Sequence, residues 1–450
     1  MAAHVQRLWP GGNVDELLAA RLQMAISLGF HIVFACIGMV MPFLMAAAHW
    51  CWLKTNDRVW LELTKAWSRG VAIFFAVGAV SGTLLSFELG LLWPKFMEHA
   101  GPIFGLPFSW EGAAFFLEAI FLGMFLYGWN QLPRWLHWTT GVLVGLSGLA
   151  SGILVVAANG WMNAPSGFRY ENGVFFDIDP VAAMLNDAWF TQALHMTLAA
   201  FAATGFGVAG LHAALLLRHP GHPLHQKAIR VALPFAATAA LLQPLSGDLS
   251  AKDIAERQPL KLAAAEALFE TTRGAPLLIG GIPDMELREV HYAIELPYLL
   301  SFLAHSSFQA EVLGLDAFPE DEWPPVPLVH YAFQVMVGIG FVLAGLGAYY
   351  WYMAVRGRPF LDRFWFLAAL SASAPLGFIA VEAGWIVTEV GRQPWIIYGV
   401  MKTADSLTEM PGIQYSLAFY VFAYLLLALL VAWLMKRQIA ALESQLRVYP

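Results

Sequence analysis

Charge is scarce in this chain. Only 13% of its 450 residues are Asp, Glu, Lys or Arg, against about a quarter in an ordinary soluble domain. Cysteine is nearly absent. Cys36 falls in an apolar run and Cys51 just after it, which suggests neither a disulfide framework nor a zinc site. There is no excess of positive charge, and a net charge of −7 argues against a nucleic-acid partner. The first apolar run lacks a small-residue cleavage site and is too long for a signal peptide, so it reads as a retained span. Apolar residues fill the space left by these absences. They make up 59% of the chain, with a mean hydropathy of +0.60, and the economical explanation is that most of the chain sits in lipid.

A bilayer core of about 30 Å needs roughly 20 apolar residues per helix. Such runs occur near 22–48, 67–92, 108–129, 138–158, 190–217, 229–246, 327–350, 364–390 and 415–436. The expected fold is therefore an all-α membrane protein of about nine transmembrane helices. The run at 229–246 is the weakest, with Pro234 and Pro244 inside it, and glycines at 141, 145, 148 and 152 mark one span for close helix packing. An odd number of spans puts the termini on opposite sides. Leaving out the long segment 247–326, Lys and Arg divide 14 against 6 between the two sets of connections. The positive-inside rule then predicts the N-terminus outside and the C-terminus in the cytoplasm. The chain divides into spans 1–246, an outer loop 247–326 and spans 327–450. The loop carries 14 acidic against 5 basic residues, and an apolar stretch from Tyr298 to Ala304 argues for a folded element in it. A loop of this length is usually functional or disordered.

Most of the 13 histidines fall in connections, and His219, His222 and His225 read as a solvated cluster on the inner side. His31 and His195 differ, because both lie inside apolar spans, and Glu88, Glu111, Glu118 and Glu382 lie in or at the ends of spans. A charge at the centre of a span costs roughly 2.5–3.5 kcal/mol on insertion scales, which makes such residues functional candidates. The bland alternatives, a packing accident or a snorkelling side chain, suit one residue better than six. In the predicted orientation, His31, His195, Met336 and Glu382 all fall within roughly 15 Å of the outer face. Heme iron accepts few ligand types, among them His and Met, so four such side chains on four spans suggest heme. Methionine alone would mean nothing, since the chain has 16 and Met is a common core filler.

Read as strings, these segments resemble one family, subunit I of the cytochrome bd oxidases, over nearly the whole chain. RLQMAISLGFHIVF, from Arg21 to Phe34, resembles the family's opening helix and gives His31 the role of a high-spin heme ligand. FTQALHMTLAAFAATG places the low-spin heme histidine at His195, and YAFQVMVGIG its methionine partner at Met336. VEAGW, followed by EVGRQPW, places the second high-spin ligand at Glu382. WEGAAFFLEAIFLG matches a helix with two family glutamates, Glu111 and Glu118. LKLAAAEALFET matches the quinol-loop motif through Lys261 and Glu266, and GIPD with the following IELPY also fits. The chain departs from the family at Gln334, where Arg is frequent, and at Phe378, where Trp is frequent. Its loop is of the short type.

The resemblance implies a terminal respiratory oxidase of the bacterial cytoplasmic (inner) membrane. Quinol would bind at the outer loop and O2 would be reduced to water, with no dedicated proton pump. It implies three hemes: a low-spin heme b, a high-spin heme b, and heme d or a further heme b. Arg21 and Arg392, near the outer ends of helices, could pair with heme propionates, since guanidinium binds carboxylate bidentately. Lys261 and Glu266 would orient quinol and take its proton; of Glu111 and Glu118, on one helix face, Glu118 is the better candidate to relay protons from the cytoplasm, and Glu111 the alternative of holding a heme edge or its protonation balance. The implied partners are a second membrane subunit, with room for a small single-helix subunit. Two other classes compete. A transporter explains polar residues in spans, though not the His195 and Met336 pairing. A heme b quinone oxidoreductase without oxygen chemistry does not explain His31 and Glu382.

Overall fold

The computed structural model describes residues 14–171 and 174–446. The termini, 1–13 and 447–450, lie outside the described residues, and some of the charges behind the predicted orientation lie in them. Among the described residues, nine helices are long and apolar enough to cross a membrane.

The chain begins as consecutive hairpins. Helix α1 (Val14–Thr55) turns into α2 (Arg58–Leu92) at Asp57, whose carboxylate accepts the Val59 N–H at 2.8 Å and so caps α2. Helix α3 (Pro94–Tyr127) opens on a proline, which has no N–H to leave unsatisfied. Helix α4 (Arg134–Asn163) returns against it, followed by the hairpin β1 (Arg169–Glu171) and β2 (Val174–Phe176) and the single turn α5 (Pro180–Met184). Next come α6 (Trp189–Arg218) and α7 (Pro223–Arg257), the most extensively packed pair in the molecule.

Lipid tails are as apolar as leucine, so burial does not drive spans together; close packing of small residues does. The α6–α7 contact shows this. Ala200, Ala203, Ala209 and Ala213 of α6 are fully buried with Ala228, Ala232 and Ala236 of α7. A Cβ on Gly205 would come within 2.7 Å of the Ala236 Cβ. The glycine row of α4 works in the same way, making room for Phe125 at Gly141, Phe43 at Gly145 and Met39 at Gly152. Large side chains such as Phe87, Phe116, Phe419 and Phe422 point outward instead, as a lipid-facing surface requires.

Two boundaries differ from the sequence reading. The weak run at 229–246 is the middle of a 35-residue helix that contains both Pro234 and Pro244 and continues to Arg257. Packed neighbours let a span absorb prolines that would stop a soluble helix. The span at 364–390 is broken at Ala374 and Pro375 into α11 (Phe364–Ser373) and α12 (Leu376–Val390). The loop between α7 and α10 (Val326–Val355) is folded. It holds α8 (Pro259–Glu266), α9 (Leu299–His305) over the apolar stretch noted in the sequence, and short antiparallel strand pairs. Helix α8 packs its alanines onto Val326 and Val329 at the start of α10. After α12 the chain makes a small hairpin, with strands Trp395–Ile397 and Met401–Lys402, and ends in α13 (Ile413–Leu446).

The histidines need a correction. His225 is not solvated: it sits in the first turn of α7, fully buried, with its Nδ1 3.0 Å from the Nδ1 of His212. His49 and His137, just outside the apolar runs, are also helical and buried. The helices run past the apolar stretches, so residues that look like loop in sequence are carried into the bundle.

Candidate functional site

The two span histidines are built alike. The Nδ1 of His31 lies 2.9 Å from the Ser81 hydroxyl on α2, and that hydroxyl donates to the Gly78 carbonyl at 3.1 Å. A hydroxyl has one proton to give. With it spent on Gly78, Ser81 must accept from His31, which puts the ring proton on Nδ1 and leaves Nε2 with a free lone pair. His195 repeats the device. Its Nδ1 lies 3.0 Å from the Ser246 hydroxyl, which donates to the Gln243 carbonyl at 2.9 Å. A histidine that binds metal through one nitrogen and anchors the other has this form. Glycines make the room: a Cβ on Gly82 would stand 2.9 Å from the His31 ring, and one on Gly247 3.6 Å from that of His195. The Gln243 amide nitrogen lies 3.1 Å from the His195 Nε2, on the side where a ligand would stand.

Met336 and Glu382 meet the same small-residue logic at the contact of α10 with α12. A Cβ on Gly384 would lie 3.1 Å from the Met336 sulfur, so the glycine of VEAGW is the seat of that methionine. Glu382 points toward α1, where a Cβ on Gly29 would lie 3.1 Å from its Oε2, and its Oε1 is buried with no hydrogen-bond partner. A buried carboxylate oxygen left open is costly unless something binds it. Gly29 and His31 are two residues apart on α1, about 200° round the helix. The structure therefore sets Glu382 and His31 on opposite sides of α1. These donors, a histidine nitrogen, a thioether and an open carboxylate, fit heme iron by chemistry and by the space around them.

Glu118 is buried at a close α1–α4 approach: a Cβ on Gly148 would be 3.2 Å from its Oε1 and as near to the Gly38 carbonyl. One glycine of the packing row thus makes room for a carboxyl. Glu111, two turns away, accepts the Ser151 hydroxyl at 2.7 Å. Glu88, fully buried on α2, accepts the Gln23 amide at 3.1 Å.

The two residues of the loop motif are both buried on α8, about 140° apart round the helix. Lys261 reaches α4 and donates to Asn163 Oδ1 at 2.6 Å. Burial, then the nearby Arg392, pushes its ammonium down to about 7. Glu266 has a buried Oε2 without a partner, and burial pushes its carboxyl up to about 8. His330 on α10 holds the backbone beside it, with Nδ1 2.9 Å from the Ala265 carbonyl. Gln334 clamps the loop, donating to the Leu278 carbonyl at 2.9 Å and accepting the Gly280 N–H at 3.0 Å. Arg392 donates to Glu389 at 2.6 Å and keeps a buried Nη1 unpartnered, while the half-buried Arg21 lies on α1 ten residues before His31. Sequence reading passed over Ser81, Ser246, Gln243, His330, Asn159 and Asn163, and quoted Glu389 within EVGRQPW without giving it a role. The first six carry no local signal, because each acts on a residue far away in the chain.

The family model for cytochrome bd terminal oxidase subunit I matches residues 19–442. A Bacillus subtilis protein provisionally named cytochrome bd menaquinol oxidase subunit I is 37% identical over 94% of this chain and 96% of its own. The cytochrome bd ubiquinol oxidase subunit 1 of the same organism is 31% identical over 95% of this chain and 94% of its own. The solved structure of bd oxidase from Geobacillus thermodenitrificans superposes with a TM-score of 0.89 at 39% identity, covering 95% of this chain and 99% of that one.

Proposed function

The chain belongs to the cytochrome bd terminal oxidase subunit I family, and from that premise we infer how its residues serve the activity. It is a multi-pass protein of the bacterial inner membrane and a subunit of a terminal quinol oxidase, which oxidises quinol and reduces O2 to water. Membrane partner subunits complete the complex; the finer reading is a second membrane subunit, with room for a small single-helix one.

His31, His195, Met336 and Glu382 are the heme ligands in this reading, and the observation that carries it is the shared histidine device. Two histidines on different helices each spend Nδ1 on a serine that is itself committed to a backbone carbonyl, which leaves a lone pair on each Nε2, unmet at His31 and facing the Gln243 amide nitrogen at 3.1 Å at His195. Heme iron, when bound, supplies one-electron carriage and the centre where O2 is reduced. His195 and Met336 would together hold a low-spin heme b, which would serve electron transfer. His31 and Glu382, on opposite sides of α1, would each serve a separate high-spin heme, one heme b and the other heme d or a further heme b. The open Nη1 of Arg392 suits a propionate, and Arg21 is the second candidate.

The loop 247–326 faces outward, with the N-terminus outside and the C-terminus cytoplasmic, and the spans 1–246 and 327–450 carry the heme ligands. In the loop, the Lys261 ammonium orients the quinol headgroup and the Glu266 carboxylate takes its proton toward the outside. Glu118 and then Glu111 pass protons from the cytoplasmic half. Because electrons enter near the outer face and protons cross most of the membrane, charge is separated without a pump. The test is a reduced-minus-oxidised spectrum of the purified complex, with extracted-heme analysis and CO addition. The reading expects a low-spin b signal and CO binding at a separate heme; a protein with heme that binds no CO would be a quinone oxidoreductase of another kind.

A further inference from the structure

The last carbonyls of a helix have no partner within it, and α8 ends on this problem beside Glu266. The chain turns left-handed at Ala267, whose N–H reaches back to the Ala263 and Ala264 carbonyls, and the Leu268 N–H takes Ala263 at 2.8 Å. The Ala265 carbonyl is met from another helix, by His330 Nδ1 of α10 at 2.9 Å. Ala265 and His330 are both buried. The contact is a side-chain cap on the helix end that carries Glu266.

The other ring nitrogen, Nε2, lies 3.3 Å from a second carbonyl, that of Gly280. Carbonyls only accept, and a neutral imidazole has a single N–H. The shorter contact takes it: Nδ1 donates to Ala265, and Nε2 turns a lone pair toward Gly280. The ring therefore fixes α8 and cannot by itself fix the turn at Gly280. Gln334, four residues on and on the same face of α10, supplies what is missing. Its amide donates to the Leu278 carbonyl at 2.9 Å, and its oxygen accepts the Gly280 N–H at 3.0 Å. That turn leads directly into GIPD, which begins at Gly281. One face of α10 thus holds both loop segments that resemble the family's motifs. Met336 stands two residues past Gln334, about 200° round the helix, so one rigid element sets the loop against the low-spin heme ligand.

We propose that His330 and Gln334 are positioning residues for quinol oxidation: His330 fixes Glu266 through the carbonyl of the residue before it, and Gln334 fixes the facing turn ahead of GIPD. The proposal rests on Glu266 being the residue that takes the quinol proton. In it, neither side chain touches quinol, and each acts through the loop backbone.

The experiment measures kcat and KM for quinol in the purified complex, with a donor that reduces the hemes directly as control. His330→Phe fills the space of the ring and leaves the Ala265 carbonyl bare. Its quinol kcat should fall roughly ten- to a hundredfold, as a misplacement of about 1 Å can cause, while the direct-donor rate and the low-spin band hold. His330→Asn puts an amide nitrogen where Nδ1 was and should keep quinol kcat within about threefold of wild type. His330→Gln puts it where Nε2 was and should behave like His330→Phe. These two polar variants carry the test if His330→Phe does not assemble. Gln334→Leu frees the turn and should raise quinol KM roughly tenfold, with a smaller change in kcat. Equal quinol kcat in His330→Asn and His330→Gln, or loss of the direct-donor rate in step with quinol, overturns the role of His330, while Glu266→Ala still stops quinol oxidation. A wild-type KM in Gln334→Leu overturns that of Gln334. Full quinol oxidation in Glu266→Ala overturns the reading of Glu266 and this inference with it.

Discussion

The polar groups inside the spans and those at the quinol loop are finished in different ways. Among the ligand candidates of the spans, His31 and His195 each have one nitrogen tied to serine, His31 keeps the other open while that of His195 faces Gln243, and Glu382 has one oxygen buried and bare. Where the loop meets the spans, Lys261 of α8, Asn163 and Asn159 of α4, Glu389 of α12 and Arg392 after it hold one another in a continuous run. The difference teaches how to tell two jobs apart. A residue that must bind a metal keeps a lone pair unused, and small neighbours leave room beside it. A residue that must present a charge to a passing substrate is braced by its own chain. Glu266 is the informative exception in the loop, because its Oε2 is open, as expected of a group that takes a proton from the substrate.

That exception supplies the largest expected effect. Glu266→Ala should lower quinol oxidation by about a hundredfold or more, the ordinary worth of a positioned base, while a donor that reduces the hemes directly keeps most of its rate. Equal loss with both donors would mean that the loop had simply collapsed.

The spans offer the next test. Glu118→Gln keeps the shape that fits against Gly148 but cannot carry a proton. O2 reduction in turnover should slow by roughly ten- to a hundredfold with all hemes still bound. Full activity at normal heme content would remove Glu118 as an obligatory relay.

A third test asks whether the serine anchors matter as claimed. Ser81→Ala or Ser246→Ala frees the histidine tautomer, and heme retention should weaken about ten- to a hundredfold, the usual cost of losing the partner that orients a metal-binding histidine. Heme titration of each variant measures it. Retention equal to wild type would show the serines to be packing only.

The smallest effect is a pH profile. Burial and Arg392 hold Lys261 at about 7, so its charged form is lost as pH rises through that value. Burial holds Glu266 at about 8, so its carboxylate is lost as pH falls through that one. Since catalysis needs the charged form of both, quinol kcat/KM should trace a bell centred near about 7.5, falling on either side. A flat profile across this range would contradict the pairing of roles.

Much of this was legible in the sequence, for a physical reason in each case. The spans were legible because lipid demands long apolar runs, and even the weak one, with its two prolines, proved helical. The ligand candidates stood out because a histidine or carboxylate in such a run is expensive. The anchors were not legible. Ser81 and Ser246 lie 50 and 51 residues from their histidines, and Asn159 lies 230 from Glu389, distances that no periodicity bridges. Buried His225 misled in the opposite direction: a histidine-rich connection looks solvated until the helix after it is seen to begin at Pro223.

The central claim is that open donors in the spans are heme ligands, and one measurement reaches it most directly: the reduced-minus-oxidised and CO-difference spectra of His195→Ala and Met336→Leu. The account predicts that both variants lose the low-spin band and still bind CO at the high-spin site. A low-spin band unchanged in both variants would contradict it.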